Sequence, residues 1–153
     1  MSDGAERGTS ERPSERSKAV TAWRDAEPFD LPEWLGTQAV TWAALSPLHR
    51  GHLVTGELRG SGEPVACDLL AVDEAYPEPV ADEHVRTAVH QAWRRGEVHL
   101  LGAEGRYALA VPGSRLDAEL AIAAVERLAR SVGADAASYA ILLRIGRDRA
   151  SSR

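Results

Sequence analysis

The sequence predicts an α+β domain, a two-layer sandwich in which a mostly antiparallel six-stranded sheet carries two helices on one face in the order βββαββαβ. Three observations lead there. Short apolar or alternating runs, each closed by Gly, Pro or acidic residues, recur at 38–45, 52–59, 65–72, 97–103, 106–111 and 139–145, the signature of strands. Two windows, 82–95 and 116–132, instead carry apolar residues at helical spacing. Finally, the connections 60–63 and 104–105 are short enough to be hairpins, which requires antiparallel neighbours.

A chain of 153 residues, 44% hydrophobic and 27% charged, has the size and composition of one globular domain. Its net charge of −5, from 18 basic and 23 acidic side chains, argues against nucleic acid or an anionic membrane as an obligatory partner, since both need a concentrated cationic surface. Lys18 is the only lysine, and with the heavy use of Ala and Gly this is a GC-rich, actinobacterial-like composition. A lone cysteine, Cys67, cannot form an internal disulfide, and no apolar stretch reaches the length of a bilayer span or a signal-peptide core. The cytoplasm is the default expectation.

Residues 1–27 are rich in Ser, Glu, Arg and Gly and are expected to be a disordered tail, with Trp23 as a stray large apolar group. Phe29, Leu31, Trp34 and Leu35 then crowd into eight residues. Asp30 can cap a single turn there, Pro32 suits its first positions and Gly36 can end it, so this is an arm expected to dock over part of the apolar sheet face that carries Asp68, leaving the rest, around Asp68 and His99, as the interaction surface. The domain proper is expected over 28–146, with 147–153 a frayed end.

The central strand is Val65–Val72, apolar on both faces except at Asp68. Pairing Arg59 with Pro64 across the loop puts Leu58 opposite Val65, Gly56 opposite Cys67, Thr55 opposite Asp68 and Leu53 opposite Leu70, so polarity agrees at every pair. Extending the meander backwards with Leu45 opposite His52 sets Trp42 opposite Thr55, on the Asp68 side. Asp82 caps the first helix and Gly96 stops it, with Val85, Ala88, Val89, Ala92 and Trp93 as its stripe. Ala103 pairs with Arg106 in the next hairpin, so that His99 meets Ala110 and Leu100 meets Leu109. The second helix buries Ala121, Ile122, Val125, Leu128, Ala129 and Val132, and Gly133 ends it. In the last strand Tyr139, Ile141 and Leu143 share one face.

Candidate site residues collect on the face of Asp68: Trp42, Thr55, Asp68, His99 and Arg144, with Glu57 and Arg106 nearby. An acid, an imidazole and arginines on one surface could act as a base, its partner and an anion clamp. The structural reading of Asp68 is a satisfied buried acid, accepting from Thr55 and from an arginine. His49 and His52 lack a third ligand for a metal, and His84 and His90 point about 120° apart on their helix. Cys67 falls on the helix-covered face, where it is an inert hydrophobe. There is no phosphate loop and no nucleophile elbow. These observations predict a small non-enzymatic cytoplasmic module that uses no cofactor or metal, with a protein partner or a homodimer mate, chaperone-like or regulatory in character. The competing expectation is a small enzyme or ligand-binding protein using Asp68, His99 and Arg144. The order of elements is similar to that of two-layer α/β chaperone-like and sensory modules, a likeness that carries over no residue.

Overall fold

Alternating apolar positions become eight strands: β1 (Arg24–Asp25), β2 (Val40–Ala44), β3 (Leu53–Val54), β4 (Gly56–Arg59), β5 (Val65–Ala71), β6 (His99–Ala103), β7 (Arg106–Val111) and β8 (Tyr139–Leu142). Helices α1 (Glu83–Arg94) and α2 (Ala118–Ser131) lie between them. The structure, a computed structural model, describes residues 23–48, 51–74 and 79–144. Of the disordered tail expected over 1–27, residues 1–22 lie outside these residues, as do the frayed end expected over 147–153 and His49 of the histidine pair. Among the described residues no helix is long and apolar enough to cross a membrane.

Each helix begins where an aspartate accepts an orphan backbone N–H. Asp82 takes Val85 N–H at 2.9 Å and Asp117 takes Leu120 N–H at 2.8 Å. Each is followed by a glycine with positive φ, Gly96 and Gly133. The two hairpin registers follow the sequence reading: Leu53 pairs with Leu70, Leu58 with Val65, His99 with Ala110 and Leu100 with Leu109.

The sheet differs from the expected one in being mixed and larger. Its order is β1-β6-β7-β5-β4-β2-β8, with β3 also on β5. β5 and β7 run parallel, because the excursion through α1 and β6 returns the chain in the same direction beside β5. β2 and β8 are parallel as well, joined from opposite ends of the domain. Within the stretch expected to be a tail, β1 pairs with β6 and Trp23 packs against the α1 side of the sheet.

The helices lie on opposite faces of the sheet, which corrects the two-layer expectation. Cys67, Leu69 and Ala71 join Leu100, Leu109 and Val111 under Ala121, Ala124, Val125, Leu128 and Ala129 of α2. Their strand neighbours Leu70 and Val72 join Leu101, Ala108 and Ala110 under Val85 and Val89 of α1. Both faces of the β5-β7-β6 region are apolar, so each needs its own cover. α2 turns Ala124 inward instead of Ile122, which stays 42% exposed.

The arm is two short 3-10 turns, Pro28–Asp30 and Glu33–Gly36, where one was expected. Asp30 does not cap the second; its carboxylate reaches back to Glu27 N–H at 3.3 Å. Leu31 and Leu35 enter the α2-side core, so the arm does not cover the Asp68 face. Trp34 lies over the β4–β5 loop, where a Cβ on Gly60 or Gly62 would come within 2.3 or 2.4 Å of the indole. Only glycines admit it so close.

Candidate functional site

β2 and β4 are slipped by three residues from the expected register: Trp42 pairs with Leu58 and Ala44 with Gly56. An odd slip reverses the faces, so Trp42 leaves the Asp68 side and is buried on the α2 side. The cause is steric. The indole lies across Gly56, where a Cβ would sit 2.2 Å from the ring, and Gly56 is the one position on β4 that can receive it.

From there the indole N–H reaches past β4 and donates to Cys67 O on β5 at 2.9 Å. This accounts for the break between β3 and β4. Ala71 N–H donates to His52 O, so by ladder alternation Gly56 and Cys67 should be a hydrogen-bonded pair. Instead Gly56 N–H donates to Asp68 Oδ1 at 3.1 Å, and Cys67 O receives Trp42. A second exchange lies one strand away. Leu45 N–H donates to Thr55 O, but Thr55 N–H turns to Ser46 Oγ at 3.0 Å, and Leu45 O accepts from Arg144 Nη1 at 3.2 Å. Four of the nominated residues, Trp42, Thr55, Asp68 and Arg144, therefore meet at one seam where side chains replace ladder bonds.

Asp68 is 1% exposed, and Arg106 grips it with both Nε and Nη2, the Nε bond being 3.0 Å. The hydrogen bond to Asp68 raises the Arg106 guanidinium above its ordinary range. The arginine partner matches the expectation. The other donor is the Gly56 backbone rather than Thr55. Next door, burial pushes the Cys67 thiol far up, with the Asp68 charge adding to it, so no thiolate is available there.

His99 keeps different company. Its Nε2 lies 3.1 Å from Asp25 Oδ1 on β1, and His84 Nε2 is 4.0 Å from the other oxygen. Sequence reasoning missed Asp25 because β1 is only two residues long and sits in a polar stretch. Asp68 and His99 therefore do not form an acid–base couple, since each is bonded to a partner of its own. Among the described residues no three His, Cys, Asp or Glu side chains group as metal ligands.

What the seam leaves free is apolar. Leu45, Leu53 and Leu142 are 45%, 43% and 54% exposed. Leu53 on β3, opposite Leu70, and Leu142 on β8, beside Ala43, fall on the Asp68 side by strand alternation, and Leu45 directly follows β2. The buried clusters place α1 over the β6-β7-β5 half of that side. No family model, no curated protein and no solved structure matches the chain.

Proposed function

We propose that the chain is a non-enzymatic protein-interaction module, and that its partner is a second copy of itself docked on the open half of the sheet. The observation that carries this reading is the trio Leu45, Leu53 and Leu142, each more than two-fifths exposed, just past β2, on β3 and on β8. The polar groups beside them are already spent on the seam, which favours burial of that surface over chemistry on it.

The β8 edge favours a twofold arrangement. β8 pairs with β2 on one side and, among the described residues, with nothing on the other. Its four residues, Tyr-Ala-Ile-Leu, hold none of the charges or prolines that blunt natural edges. A second copy related by a twofold axis close to this edge would meet the open half-face isologously, each copy presenting the same leucines to the other.

Light scattering on the full chain tests this. Wild type should weigh as a dimer at micromolar concentration, Leu142→Arg as a monomer, and Ile122→Arg, altered at an exposed residue on α2, as a dimer. A wild-type monomer across the concentration range would sink the reading, as would dissociation by Ile122→Arg equal to that by Leu142→Arg.

A further inference from the structure

A cleft of about 550 Å³ opens between the segment after β1, the start of β6 and the last turns of α2. We propose that it binds a small organic oxyanion carried on an apolar body, such as an arylacetic acid or an aryl phosphate. The inference is independent of self-association, since the cleft lies across the sheet from the open half-face.

Its volume falls within the range of about 300–1,000 Å³ typical of small-molecule sites. Ala26, Val98, Leu100 and Leu128 supply an apolar lining. The charged groups around it are not equally occupied. Asp25 is bonded to His99 at 3.1 Å, the Glu27 side chain closes the capping box of the first 3-10 turn, and Glu97 pairs with Arg95 at 3.2 Å. Every carboxylate at the rim thus has a partner.

The two arginines are in the opposite condition. Arg127 stacks on the Trp93 ring at 3.5 Å from its centroid, and one nitrogen, Nη1, donates to both Trp93 O and Glu97 O. That fixes the guanidinium plane, and among the described residues Nε and Nη2 have no partner. Arg130, one turn along α2, has no hydrogen-bond or ion-pair partner among the described residues. Burial, and next the charge of Arg130, hold the Arg127 guanidinium below its ordinary range, as two neighbouring cations should. A pre-oriented fork beside a second free cation, above apolar walls, suits an anionic head on an apolar stem.

Titration of the full ¹⁵N-labelled chain with phenylacetate, phenyl phosphate and the neutral match phenylacetamide tests this. Saturable shifts are expected at Val98, Leu100 and the Arg127 side chain for at least one anion, with phenylacetamide at least about tenfold weaker; the tighter anion identifies the head group. Arg130→Ala should weaken the anion about tenfold, as loss of a charge-assisted contact does, while leaving the rest of the spectrum in place. No saturable shift with either anion would overturn the proposal. Equal binding of phenylacetamide, or undiminished binding to Arg130→Ala, would do the same.

Discussion

Asp68 and Arg106 form one ion pair with two different exposures, 1% for the acid residue and 39% for the arginine side chain. Removing the acid lets the arginine turn to water, so Asp68→Leu should cost about 1–3 kcal/mol, chiefly for the stranded Gly56 N–H. Removing the arginine strands a buried carboxylate, and Arg106→Leu should cost about 3–5 kcal/mol. Denaturant titration of the two variants gives the order, and a larger loss for Asp68→Leu would contradict the seam as described. An acid alone in an apolar run was enough to mark Asp68 from sequence. Its partners were less legible, because Arg106 reaches it only through the parallel β5–β7 pairing and no local pattern announces that pairing. Trp42 was nominated for the wrong face for a similar reason: a three-residue slip leaves the β2 sequence reading equally well, and the deciding fact is one absent methyl at Gly56.

Among the elements, hairpins and the first helix cap were legible because their information is local: the 60–63 loop and Asp82 each act within a few residues. β8 was legible as a strand but not in its place, since its neighbour β2 lies at the other end of the domain. Its anchor there is the Tyr139 hydroxyl, which donates to Leu35 O in the arm. Burial, then the nearby Cys67, pushes Tyr139 up to about 12 from its ordinary 10. An acid whose folded value is raised stabilises the fold fully below pH 10, and that contribution is lost as pH rises through about 12. Stability measured by urea titration should therefore fall across this window in wild type, while Tyr139→Phe starts about 0.5–1.5 kcal/mol lower and falls less. Parallel curves for the two proteins would mean that the hydroxyl is free to ionise in the folded state.

At the scale of the whole molecule the helices divide the labour, α1 closing half of one face and α2 with the arm closing the other, and both lean on β5. Leu69, fully buried at the centre of that strand, should cost about 2–5 kcal/mol as Leu69→Ala; a loss below about 1 kcal/mol in a denaturant titration would show that the α2-side core can collapse around the gap. The parallel pairing of Val40 with Tyr139 has a bearing on biosynthesis. Chains grow at about 5–20 residues per second, so β2 is made several seconds before the strand that flanks it. For that interval Val40 and Trp42 line an unfinished border, and Leu35 lacks the hydroxyl that caps its carbonyl. The nascent polypeptide can assemble its hairpins early, yet it cannot seal its core until the ribosome has delivered β8.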